Sequence, residues 1–138
     1  MHLNSEDLRH KIKTANLRPT QQRLALADLL FAQGNRHVTA ERLHNEAMSS
    51  GVTVSLATIY NNLHQFTAAG LLREVVVDSS RSYFDTNVDP HHHFFHEKTG
   101  ELEDIPRNEL SVDNIPTLPE GTEISSVDVI VRVTARRD

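Results

Sequence analysis

SLATIYNNLHQFTAAG, residues 55–70, runs straight into LLREVVVDSSRSYFD, residues 71–85, and the spacing of apolar side chains changes at the join. In the first half Ile59, Leu63 and Phe66 recur at i, i+4 and i+7, the stripe that one face of a helix presents to a core. Ser55 supplies a capping side chain at the start, and Gly70 accepts a left-handed backbone at the end. The opposite face carries Thr58, Asn61, Asn62 and Gln65. Past Gly70, LLREVVVD reads as a strand, SSR as a turn and SYFD as the returning strand.

Upstream, residues 4–15 predict a helix capped by Ser5, with Glu6 and Asp7 in its first turn and Leu8, Ile12 and Ala15 on one stripe. Arg18-Pro19 stops it, because a residue before proline avoids the helical region. Thr20 opens a second helix with Leu26, Leu29 and Leu30 on its buried side and Gly34 past its end. Thr39 opens a third, closed by Gly51, with Leu43, Ala47 and Met48 pointing inward. Three helices followed directly by a hairpin form the winged helix-turn-helix pattern. In it the second helix of the turn lies in the major groove, and the wing lies against the backbone or minor groove.

From residue 87 the composition shifts. HHHFFHE and ELEDI are two strand-like runs joined by KTG. Residues 106–121 hold three prolines and predict a loop with at most a short helix. EISSVDVIVRVTA, residues 123–135, reads as one strand, with Val127, Val129, Val131 and Val133 alternating against Asp128, Ile130, Arg132 and Thr134. The expected fold class is α+β: an N-terminal winged helix-turn-helix domain over residues 1–86, then a small α/β, mainly β-sheet, dimerisation domain over residues 87–138. About three strands with little helix to cover them are marginal alone, so a homodimer is expected.

At 138 residues and 38% hydrophobic, the chain can bury a core. It has no apolar run near the roughly 20 residues of a membrane span, and its first residues lack the apolar stretch of a signal peptide, so no membrane role and a cytoplasmic location are expected. With no cysteine, disulfides and thiolate chemistry are excluded. The net charge of −5 argues against nucleic acid only until it is divided. Residues 1–86 hold nine Lys/Arg and eight Asp/Glu, net +1; residues 87–138 hold five and eleven, net −6. DNA meets the local potential, and the acidic surplus lies wholly in the second part.

On the fourth helix Thr58, Tyr60, Asn61 and Asn62 are the candidate base and phosphate readers. Asparagine can bond an adenine edge twice, and Thr or Tyr can reach phosphate or a thymine methyl. Ser55 offers a hydroxyl and helix-start N–H groups to a phosphate. Arg18 and Arg23 flank the second helix as backbone or minor-groove contacts. An isolated helix with this face would be merely solvated; a hairpin placed directly behind it favours DNA.

Nine histidines are present, and four fall at 91, 92, 93 and 96. On a strand His91 and His93 share one face and His92 and His96 the other. An H-x-H pair grips one ion and needs further ligands. Asp85 ends the wing, Asp104 sits on the facing strand of the next hairpin with Glu101 and Glu103 beside it, and His37 lies between the second and third helices. Imidazoles and carboxylates of this kind suit Fe(II), Mn(II) or Zn(II), against a surface or pH-sensitive histidine patch. Haem is the second chemistry: His91, His92 and His93 are candidate axial ligands, His92 and His96 are free to serve if His91 and His93 hold a metal, Phe94 and Phe95 could form an apolar wall, and His44 and His64 are further candidates.

RPTxQR at 18–23, HVTAERL at 37–43, SLATIYNNL at 55–63, FTAAGLL at 66–72 and the FD…HHH of 84–93 together resemble the ferric uptake regulator superfamily. The resemblance covers about residues 8–105. It implies a homodimeric, metal-controlled transcription regulator, with the metal on His37, Asp85, His91, His93 and Asp104. The family's structural zinc, held by two C-x-x-C pairs, is expected to be missing, since His96 and Thr99 stand where the first pair would be. The missing cysteines and the histidine triplet resemble the iron response regulator branch, which controls haem synthesis and iron genes and answers to haem. The implied partners are a pseudo-palindromic, AT-rich double-stranded DNA operator, a second copy of the chain, a divalent metal and haem. The alternative is a plain Mn, Fe or Zn repressor without a haem response. No nucleophile or phosphate loop accompanies the histidines, so an enzyme is not expected.

Overall fold

The computed structural model describes residues 4–137, so Met1–Leu3 and Asp138 lie outside the described residues. By its contacts the chain divides into Met1–Val88 and Asp89–Asp138. In the first unit four helices begin with one device, a side-chain oxygen that accepts an N–H of the first turn. Thr20 caps α2 (Gln21–Phe31), Thr39 caps α3 (Ala40–Ser49) and Ser55 caps α4 (Leu56–Ala68). The expected Ser5 cap is corrected: Asn4 caps α1 (Ser5–Thr14), and Ser5 is its first helical residue. Counting from Asn4 puts Asp7 at the third position, where its carboxylate returns a bond to the cap N–H; counting from Ser5 puts Leu8 there. Gly70 ends α4 at φ +81°, and the turn closes with Leu71 N–H donating to the Phe66 carbonyl at 2.9 Å.

The helices bury Leu8, Ile12, Leu26, Leu30, Leu43, Ile59, Leu63 and Phe66 in one cluster with Phe84. Two inward assignments are corrected. Leu29 is only partly buried, and Met48 is 51% exposed. The buried stripe of α3 is Ala40, Leu43 and Ala47, and Met48 stands about 100° round from Ala47.

The link between α2 and α3 is not plain loop. His37–Val38 forms β1, pairing antiparallel with β3 (Arg81–Asp85), which in turn pairs with β2 (Arg73–Asp78) in the order β1-β3-β2. Helix, helix, short strand, helix, helix and hairpin is the winged-helix order.

In the second unit β4 (His92–His96) pairs antiparallel with β5 (Leu102–Ile105) and parallel with β6 (Ile130–Val133), in the order β5-β4-β6. No helix occurs among its described residues. The strand expected over 123–135 is corrected to these four residues. Alternation describes a face, but a strand exists only where a neighbour takes its hydrogen bonds, and β4 offers β6 only the four positions His93–His96. Val112, Ile115, Leu118, Ile124 and Val127 are exposed in the long connection. Among the described residues no helix is long and apolar enough to cross a membrane.

Candidate metal and nucleic-acid sites

α4 turns Leu56, Tyr60, Asn61 and His64 outward. The Tyr60 hydroxyl donates to Glu41 Oε1 on α3 at 2.8 Å. That bond, more than burial, raises the phenol above its ordinary range. The Ser55 hydroxyl is engaged by its cap, accepting from Thr58 N at 3.1 Å and donating to Thr58 Oγ1 at 2.9 Å. Arg18 is exposed where α2 begins.

Asn62 is corrected: it is 5% exposed and does not share the outward face. Its Oδ1 accepts from Arg23 Nε at 3.0 Å, and its Nδ2 donates to the Thr58 carbonyl at 3.0 Å. Arg23 also donates to the Arg18 carbonyl at 3.1 Å and to Gln65 Oε1, so its guanidinium ties α2 to α4. The sequence held the signal. Ile59, Asn62, Leu63 and Phe66 are i, i+3, i+4 and i+7, so Asn62 completes the buried stripe. A polar side chain on such a stripe persists only with a partner, which Arg23 supplies.

The wing holds a residue that sequence reading missed. Arg81 stands at the turn between β2 and β3, its side chain 44% exposed. Asp78 orients it, accepting from Arg81 Nε at 3.1 Å and from its NH2 at 2.7 Å, and also from Ser80 N and Oγ at 2.9 Å each. Those donors hold the Asp78 carboxyl well below the usual carboxylate range, with Arg81 the largest cause. A basic residue in the SSR turn was the available signal.

The strand alternation of the second unit turns His93 and Phe95 inward, and His91, just before β4, is buried as well. His93 lies opposite Asp104 in the β4–β5 register. His91 Nε2 is 3.2 Å and His93 Nε2 3.3 Å from the same carboxylate oxygen of Asp104, with the two ring centroids 4.4 Å apart. His91 Nδ1 is 2.6 Å from the Asp89 carbonyl. A carbonyl only accepts, so Nδ1 carries the hydrogen, and the Nε2 lone pair of a neutral ring faces the Asp104 carboxylate. Two acceptors held face to face are relieved by a proton shared along the contact or by a metal cation between them. Orientation of a ligating imidazole by a carbonyl on its other nitrogen is the usual support of a metal ligand.

In the first unit His37 lies opposite Asp85 in the β1–β3 register. Asp85 is 1% exposed, and its Oδ1 accepts from Asn87 N at 2.9 Å. A buried carboxylate stays ionised only with hydrogen bonds or a cation. The donor chemistry of both units therefore fits a divalent metal: His37 and Asp85 in one, His91, His93 and Asp104 in the other.

The remaining haem candidates have local tasks. His44 Nε2 donates to the Val54 carbonyl at 2.8 Å, joining α3 to the start of α4. His64 rests 5.8 Å from the Phe84 ring and 6.0 Å from Tyr60, centroid to centroid. His92 Nδ1 accepts from Val129 N at 3.0 Å, docking β6 beside β4. His96 bonds Glu103 at 2.8 Å.

Fold and donors together define a winged-helix protein with imidazole–carboxylate sets in each of its units. The chain belongs to the ferric uptake regulator family, whose model matches residues 14–132. Members of that family are transcription regulators, not enzymes. The peroxide-responsive repressor of Staphylococcus aureus is 30% identical over 118 residues, 80% of this chain and 79% of that protein. The peroxide-responsive repressor of Staphylococcus epidermidis is 34% identical over 94 residues, 68% of this chain and 62% of that protein. The manganese-containing structure of the ferric uptake regulator from Pseudomonas aeruginosa superposes with a TM-score of 0.68 at 23% identity, covering 94% of this chain and 98% of that one. The Vibrio cholerae ferric uptake regulator gives 0.71 at 19% identity, covering 92% and 98%. These likenesses reach the family and its fold, and stop short of the iron-response branch.

Proposed function

We propose that this protein is a cytoplasmic, homodimeric repressor-type regulator that binds a double-stranded DNA operator under the control of a divalent metal. The observation that carries the reading is the pair of Nε2 atoms, on His91 and His93, facing one Asp104 oxygen while His91 Nδ1 is committed to a carbonyl. Fe(II), Mn(II) and Zn(II) all accept such ligands. When bound, the ion supplies a central positive charge that all its ligands share. His37 and Asp85 offer two donors, and His91, His93 and Asp104 offer three. Neither set alone reaches a full shell of four to six. We therefore assign all five to one regulatory site, which ties the reading unit to the sheet unit and makes DNA affinity follow metal occupancy.

In this reading α4 enters the major groove with Tyr60 and Asn61 toward the bases. Ser55, Thr58 and Arg18 serve the backbone, and Arg23 and Asn62 hold the helix at its angle. The exposed apolar side chains between Val112 and Val127, beside a sheet of only three strands, support pairing with a second copy. Two α4 helices then meet successive major grooves of a pseudo-palindromic operator. The iron-response form of the proposal adds haem as a competitor for His91, His92 and His93.

The test joins metal analysis to DNA binding. One Mn(II) or Fe(II) per chain is expected, weakened alike by His37→Ala and Asp104→Ala. Anisotropy on operator fragments selected from random DNA should show affinity rising with metal. Two sites that respond independently to these substitutions, or DNA binding indifferent to metal, overturn the proposal. Haem that leaves operator affinity unchanged removes the iron-response form alone.

A further inference from the structure

β1 is two residues long, yet it sets His37 against Asp85. Two ladder positions hold a register weakly, because a strand gains its hold from the number of bonds along it. The register is held instead by the residues just outside it. Arg36 precedes His37 and Thr86 follows Asp85. Thr86 N donates to the Arg36 carbonyl at 2.9 Å, and Arg36 N donates to Thr86 Oγ1 at 2.9 Å. A side-chain hydroxyl thus does the work of a main-chain carbonyl, and it also donates back to the Arg36 carbonyl at 3.2 Å.

The Arg36 side chain carries the constraint outward. Its guanidinium donates to both Glu46 oxygens, at 2.9 and 2.7 Å, and to the Leu29 carbonyl at 3.0 Å. The two-pronged pair is three-quarters shielded from solvent, at 25% and 28% side-chain exposure, where such pairs hold geometry best. Residue 36 is therefore fastened to β3, to the last turn of α2 and to α3 at once. His37 cannot slide along β3 without breaking one of these. α3 also carries Glu41, which holds Tyr60 on the outward face of α4.

We propose that Thr86 and Arg36, the latter held by Glu46, are positioning residues for the His37/Asp85 half of the metal site. The inference rests on the assignment of His37 and Asp85 as ligands. Through the same fastening, any restraint placed on His37 reaches α3 and the Glu41–Tyr60 contact beside the reading face.

The experiment measures Mn(II) affinity of the full chain, by competition with a fluorescent chelator, together with metal-free thermal stability. Thr86→Val keeps the shape of the side chain and removes the acceptor for Arg36 N; Thr86→Ser keeps the acceptor. Glu46→Gln breaks the fork by a second route. Supporting partners of metal ligands typically contribute about 10–100-fold in affinity, so Thr86→Val and Glu46→Gln should weaken Mn(II) binding by that order, with Thr86→Ser at the wild-type value. Asn62→Ala serves as the comparison, since it lowers stability without touching this network. It should melt earlier and bind Mn(II) as the wild type does. Thr86→Val and Glu46→Gln at wild-type affinity, or an Asn62→Ala protein weakened equally, overturn the inference alone. A wild-type chain that binds no Mn(II) overturns the ligand assignment and this inference with it.

Discussion

Adjacent asparagines on α4 should behave oppositely when each is cut to alanine. Asn62→Ala deletes two hydrogen bonds of 3.0 Å, one to Arg23 Nε and one to the Thr58 carbonyl. At roughly 1 kcal/mol net for each, the loss is about 2 kcal/mol. A larger penalty is not expected, because Arg23 keeps its bonds to Arg18 and Gln65. For a unit of this size 1 kcal/mol moves the melting temperature by roughly 4–8 °C, so Asn62→Ala should melt about 8–16 °C early. Asn61 is exposed, and Asn61→Ala should stay within about 0.5 kcal/mol of the wild type. On DNA the order reverses: Asn61→Ala should lose about 1–3 kcal/mol on its operator and little on scrambled DNA. Calorimetry and fluorescence anisotropy on both DNAs read the two effects separately. If Asn62→Ala melts with the wild type and loses only operator affinity, then Asn62 reads bases and the packing account of α4 is wrong.

Three further outcomes follow from single contacts. Only Tyr60 and Tyr83 are present as tyrosines, so in a Tyr83→Phe background the tyrosinate absorbance reports Tyr60 alone; it should titrate above an ordinary phenol, and Glu41→Ala should bring it down. Glu46 has its pKa lowered from 4.5, first by its bond to Arg36, so its stabilisation is present above 4.5 and is lost as pH falls through the lower folded value. Acid unfolding of Glu46→Gln should therefore fall less steeply over that window than that of the wild type, and parallel curves would contradict the assignment. Arg81→Ala on the wing should weaken operator and scrambled DNA alike and reduce the salt dependence by about one counterion; a selective loss on the operator would show base reading instead.

Local chemistry carried most of the first unit. Thr20, Thr39 and Ser55 announce helix starts because a cap bonds an N–H only three residues away, and Gly70 announces an end because its own φ is positive. The pairing of His93 with Asp104 was also legible, since a short hairpin leaves few registers that bury one face. Asn62 departs from the expected outer face although its spacing is visible: polarity favours solvent, but its place on the stripe of Ile59, Leu63 and Phe66 and its bond to Arg23 bury it. β1 gave no signal, because two residues have no period.

By itself the sequence determined where most of the helices begin and end, which histidines share a face, and that these 138 residues supply no thiolate ligand. Those are properties of residues within a turn or two of one another. Tertiary structure alone decided that Arg23 and Asn62 are spent on each other 39 positions apart, that His37 lies opposite Asp85, and that the last strand keeps four residues beside β4. Each depends on a partner distant in the chain, and a buried donor, a ladder bond or a ligand set takes its meaning only from the group brought to meet it.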